Sequence, residues 1–182
     1  PLVFSATALT LLAVTILGSI VSGHLDKLEW HFRFGYLVFG LLLFRLVWGF
    51  LGGRWSRFAS FVYHPRTLLR YLRGDAQAQE HLDVGHSPLG AFSVFAMLLL
   101  LVAQVATGLV ADDEVSTQGP LNRYVSTALA QTATAWHRIG QWLLIALILL
   151  HIGAIVYYHV HRERDLVGPM LTGDTLLPAG TP

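Results

Sequence analysis

Cysteine is absent from this 182-residue chain. Without a thiol there is no disulfide framework, no thioether-attached c-type haem, no thiolate-held iron–sulfur cluster and no cysteine nucleophile. Charge is scarce too. Only 13% of the residues are Asp, Glu, Lys or Arg, against about a quarter in a soluble domain, so half of the usual polar coat is missing. The formal net charge is +1, and its scattered arginines form no basic stripe, which argues against a nucleic-acid partner. Ser/His/Asp constellations, paired carboxylates inside the apolar runs and phosphate-cradling glycine loops are lacking as well, so hydrolase and transporter readings rank low.

Apolar length is what the chain has instead: 54% of it is hydrophobic. Four runs, about residues 2–21, 34–51, 89–111 and 139–158, approach the ~20 residues needed to cross a bilayer. The second carries one charge, Arg45, and the others none. They are too long for strands and do not alternate. The expected fold is therefore all-α: one integral membrane domain over residues 1–182, a four-helix bundle in the lipid bilayer, with connecting loops at 52–88 and 112–135. The apolar run starts at Leu2 without a polar flank, which suggests that a further N-terminal piece precedes Pro1.

Positive charge sets the expected orientation. Side A, holding the first and third connections, carries Lys27, Arg33 and Arg123, with Arg138 at the entrance of the last run. Side B, holding the second connection and the C-terminus, carries Arg54, Arg57, Arg66, Arg70, Arg73, Arg162 and Arg164. Positive residues favour the cytoplasm. Side B is then cytoplasmic with both termini, side A is periplasmic, and the chain is a multi-pass protein of the bacterial inner membrane. His64-Pro65 can open a short helix, in which Leu68, Leu69, Tyr71 and Leu72 stand among Arg66, Arg70 and Arg73 as on a basic helix at the membrane surface. Gly119-Pro120 marks a turn, and residues 121–134 read as a second interfacial helix.

Nine histidines stand against only twelve Lys+Arg. A bare imidazole at membrane depth is costly, so each buried one asks for a partner. His137 and His151 are 14 residues apart on the last helix, 40° short of four full turns, so they share one face roughly 21 Å apart along the axis. That stagger suits two b-type haems, one near each membrane surface and each held between imidazoles of facing helices. His31 opens the second helix on the side of His137, and the two form the expected axial pair of an outer haem. Gly35, one turn beyond His31, leaves room for a porphyrin edge. The spacing recurs as His86–Gly90, and Gly140 follows His137. For an inner haem, His151 needs a partner from side B, either His86 or a residue before Pro1. Arg33 and Arg138 flank the outer pair where guanidinium groups can meet propionates, and Arg45 asks for an inner-haem propionate or a lipid phosphate. His159 and His161 are expected at the inner interface, and His24, His64 and His81 in solvated loops.

The run AWH through HIGAIVYYH (Ala135 to His159), with LEWHFRFGYLVFG on the second helix, Gly85-His86 before the third and the closing DLVGPMLTG, resembles the bacterial cytochrome b561 family. That group includes the b-type cytochrome subunits of membrane-bound hydrogenases, and the resemblance covers nearly the whole chain. It implies haem ligation by His31, His137 and His151. The family's fourth ligand lies in a His-Trp motif at the start of helix 1, which would fall immediately before residue 1. The implied function is respiratory electron transport. Two b-haems (or one) would pass electrons between quinone and a periplasmic partner, a c-type cytochrome or a hydrogenase-like oxidoreductase subunit. This describes an electron-transfer subunit rather than a stand-alone enzyme. A small-molecule (for example superoxide):quinone oxidoreductase and a haem-free membrane anchor are the competing readings. Asp112, Asp113 and Glu114 offer a docking loop for a positively charged partner. A reporter that works only in the cytoplasm, fused after Pro182, is expected to be active; activity of a periplasm-only reporter there instead would reverse the orientation.

Overall fold

The computed structural model describes residues 2–53, 56–60, 62–73, 88–115 and 117–162. Five α-helices order them: α1 Leu2–His24, α2 Leu28–Leu51, α3 Pro65–Arg73, α4 Pro88–Val110 and α5 Thr127–Arg162, with short 3-10 turns at Phe58–Ser60 and Asn122–Tyr124. All but α3 are long and apolar enough to cross a membrane. Their outward faces carry Leu51, Leu99 and Leu150, each more than two-thirds exposed, as expected where lipid rather than water is the neighbour.

Three of the four helices run further than their apolar runs, α4 matching its run to within a residue, because hydropathy marks membrane depth whereas helix ends are set by turns and caps. Residues 25–27 alone join α1 to α2. Asp26 adopts a left-handed φ of 54°, tolerable for Asp, and the Lys27 amide donates to the Ser22 carbonyl at 2.8 Å. His24 therefore closes α1 instead of sitting in a loop, its ring edge-on to Trp142 at 5.5 Å. The separate interfacial helix over residues 121–134 does not form. After the turn at Asn122–Tyr124, the alanine-rich segment from Thr127 continues straight into the span, since alanine favours helix without needing lipid. The resulting 36-residue α5 is roughly 54 Å long and overshoots a ~30 Å hydrocarbon core.

The bundle consists of two hairpins. α1 packs extensively on α2 and α4 on α5, while contact between the hairpins is sparse and made mainly by α2 with α4. Along the seam, a layer of Leu12, Val38, Leu42, Leu101 and Leu144 forms the buried centre. Toward side B the segment after α2 folds back and buries Phe58 against Ala91 and Phe95. Gly49 makes room for it, since a Cβ there would stand 2.1 Å from the Phe58 ring.

The acidic triplet organises the α4–α5 loop. Asp113 Oδ1 accepts from the amides of Val115 at 3.0 Å and Thr117 at 2.8 Å, and Asp112 Oδ1 from that of Glu114 at 2.8 Å. Glu114 takes a left-handed φ of 60° and accepts from the Gln131 amide. These carboxylates shape the loop from within. In lipid the unfolded helices remain in an apolar solvent, so core packing counts chiefly through lost dispersion contacts. Leu144→Ala is expected to cost about 2–3 kcal/mol, the low end of the large-to-small series, read as earlier unfolding in denaturing detergent.

Candidate functional site

Toward side A of the leucine layer, the seam opens into a cavity of about 110 Å³ between the hairpins. His31 from α2 and His137 from α5 face each other across it, their ring centres 6.0 Å apart and their planes at 88°. Both are half-buried. His31 lies in the first turn of α2, while His137 lies three turns inside α5 rather than at its entrance.

The two rings are held in the same way. His31 Nδ1 donates to the Ser19 carbonyl of α1 at 2.8 Å, with Ser19 Oγ at 3.3 Å. His137 Nδ1 donates to the Gln104 carbonyl of α4 at 2.9 Å, with Thr107 Oγ1 at 3.3 Å. A carbonyl only accepts, so Nδ1 carries the proton of each neutral ring and Nε2 keeps a free lone pair. Four residues beyond each accepting carbonyl stands a glycine against the ring. A Cβ at Gly23 would lie 3.0 Å from His31 Nδ1, and one at Gly108 2.9 Å from His137 Cε1. The carbonyl of residue i points toward residue i+4 in a helix, so glycine there uncovers it for a side chain from the neighbouring helix.

The donor set fits haem b. Two imidazoles on opposite faces of one metal, each bonded at roughly 2 Å, place their ring centres about 6 Å apart. Nδ1–H donation to a carbonyl is the usual outer support of a metal-bound histidine. Among the described residues, no group of three or more His, Asp or Glu converges as a bare ion would require; a porphyrin supplies the other four ligands itself. Cofactor pockets run to about 300–1,000 Å³, more than this cavity holds, and Phe32 and Phe39 stand among its walls.

Other expected site residues are placed differently. Gly35 lines the cavity with nothing within 4 Å of its open face, but the open face of Gly140 meets the Gln104 amide, 2.5 Å from where a Cβ would be. Arg33 pairs with Glu29 at 2.5 Å and lies over Trp30; neither it nor Arg138 lines the cavity. Arg45 finds partners within the chain, the Phe58 ring at 4.8 Å and the Ser56 carbonyl at 3.4 Å. His151 sits on α5 toward side B with Nδ1 2.6 Å from Ser93 Oγ of α4. His86 lies outside the described residues. Ser19, Gly23, Gln104 and Gly108 are site residues that the sequence reading missed. Their signal is a polar residue and a glycine four apart inside an apolar helix, on the helix facing each histidine.

A membrane bundle that aims two supported imidazoles at each other across an apolar seam is built as a b-type cytochrome. The family model of the prokaryotic cytochrome b561 matches residues 2–173, and the chain belongs to that family of haem-b electron-transport proteins of the membrane. A "Probable Ni/Fe-hydrogenase B-type cytochrome subunit" of Bradyrhizobium diazoefficiens is 27% identical over 160 residues, covering 79% of this chain and 64% of its own length. The Escherichia coli K12 protein "Probable Ni/Fe-hydrogenase 1 B-type cytochrome subunit" is 25% identical over 163 residues, 79% of this chain and 67% of its own. A similarly named Cupriavidus necator subunit is 25% identical over 195 residues, 93% and 80%. No solved structure matches. Gly108→Val is expected to push the His137 ring from the cavity and abolish the haem absorbance of that site. Gly40→Ala, with open space at its Cβ, should leave the spectrum unchanged; equal spectra for both variants would separate His137 from the haem.

Proposed function

We propose that the chain is a di-haem electron conduit, passing electrons between the quinone pool and a hydrogenase-like partner at the periplasmic face. The observation that carries this reading is the His31–His137 pair, ring centres 6.0 Å apart beside one cavity with each Nδ1 engaged by a carbonyl of the neighbouring helix. The hydrogenase partner is suggested by the names of the relatives, and the inner-membrane orientation by the excess of arginine on side B. Haem, when bound, supplies the one-electron chemistry.

The chain's own residues provide the rest. His31 and His137 hold the outer haem, and the carbonyls of Ser19 and Gln104 hold the rings and raise the electron density at Nε2. The leucine layer keeps water from the middle of the seam. Leu144 lies on α5 midway between His137 and His151, seven residues from each, so the apolar layer separates the outer site from an inner one. His151, supported by Ser93, holds the inner haem with a partner at the side-B end, for which His86 is this chain's candidate. A single-haem protein would keep the outer pair alone.

Haem content and reduced-minus-oxidised spectra of alanine variants test this reading. His31→Ala and His137→Ala are each expected to lose the same half of the haem, and His151→Ala the other half. Retention of full haem by all three would exclude these residues as ligands. Loss on His31→Ala and His137→Ala but not on His151→Ala would reduce the protein to one haem.

A further inference from the structure

Gln104 is an amide within a membrane span, where leucine would pack as well and carry no polar group to satisfy. Its side chain points at the helix that bears His137: Nε2 donates to the His137 carbonyl at 2.8 Å. Its own carbonyl accepts the His137 Nδ1 proton at 2.9 Å. Two hydrogen bonds of opposite direction thus join the same two residues and fix both the register of α5 on α4 and the rotation of the imidazole. The seat is cut to the amide, because Gly140 leaves free the space that Gln104 Oε1 approaches. Ser19 offers His31 a carbonyl and a hydroxyl but no return bond to the His31 backbone, so the double strap distinguishes His137 from its partner.

We propose that Gln104 is a positioning residue for the outer haem, holding His137 by this double strap and so setting haem retention and the reduction equilibrium of that site. Gly140 serves the same strap. The proposal rests on the reading of His137 as an axial ligand.

The test uses the full haem-loaded chain in detergent, comparing wild type, Gln104→Leu, Gly140→Ala and the double variant. Gln104→Leu keeps the bulk and removes the donor; Gly140→Ala keeps Gln104 and displaces its amide. Both variants keep the Gln104 backbone carbonyl that takes the His137 Nδ1 proton and disturb only the side-chain bond, so the effect falls at the low end of the about 10–100-fold that outer support gives a metal site, and each should transfer haem to apomyoglobin about tenfold faster. Each should also shift one haem's reduction equilibrium about threefold to tenfold, roughly 30–60 mV for a one-electron couple. The low-spin electron paramagnetic resonance signal of that haem should move or broaden as the ring turns. Both substitutions act on one contact, so the double variant should match the more severe single one rather than add.

Lower thermal stability with unchanged potential, resonance and haem transfer would overturn the proposal, leaving Gln104 as interhelical glue. Additive effects would likewise overturn the shared strap. If Gln104→Leu fails to accumulate in membranes, Gly140→Ala carries the same outcomes. Retention of the outer haem by the His137→Ala variant would instead sink the ligand reading, and this proposal with it.

Discussion

A carbonyl in the middle of a helix already accepts one hydrogen bond, from the amide four residues on, yet retains a second lone pair. In water that lone pair is solvated; inside a membrane it needs a donor from its own helix or a neighbouring one, and Ser22 Oγ and Thr107 Oγ1 also stand 3.1 Å from the Ser19 and Gln104 carbonyls. The site depends on this spare capacity. The carbonyls of Ser19 and Gln104 each take an imidazole Nδ1–H, and Gly23 and Gly108 uncover them by leaving no side chain in the way. The bond satisfies a buried polar ring and selects its tautomer, leaving the lone pair on the other nitrogen. One contact therefore settles packing, protonation and ligand orientation together.

Each of these bonds lies within one hairpin. Ser19 and His31 belong to α1 and α2, Gln104 and His137 to α4 and α5. The two half-sites are oriented by the hairpins that carry them and meet only across the thinly packed seam. Helices in lipid gain little by hiding apolar surface from one another, so association rests on close packing and polar contacts. A ligand bridging His31 and His137 would join the halves where the protein's own contacts are fewest. The leucine layer and Phe58 pack the seam further toward side B.

The four spans were legible because apolar length is a direct requirement of crossing a bilayer, and His31 with His137 because a histidine in such a run demands a partner. The ends of the helices were less legible. Thr127 to Ala135 carries threonines and a glutamine among its alanines, so with the residues before it the segment reads as a separate interfacial helix, although its alanines propagate one helix into the span. Gly140 was read as clearance for a porphyrin edge, whereas its neighbour is Gln104, 36 residues earlier in the chain. Arg45 read as a charge seeking a phosphate or propionate, yet a loop folded back from beyond the span supplies the Phe58 face and the Ser56 carbonyl. Each of these misreadings concerns a partner on another element, which spacing along one helix does not reveal.

By itself the sequence determined the solvent and the class, and singled out the candidate donor atoms. Lipid is required by the length of the apolar runs, an all-helical bundle by the need to satisfy backbone groups inside the segment, and imidazole ligation by the residues available where cysteine is absent. The tertiary structure decided which imidazoles meet and how they are held. His31 and His137 face each other because the three-residue turn at 25–27 and the carboxylate-braced loop after α4 set the registers of the two hairpins. The tautomer then follows from carbonyls on neighbouring helices. Helical periodicity fixes the face on which a side chain lies; which carbonyl waits opposite depends on how far one helix slides along another, and that is set only when the turns and the packing are in place.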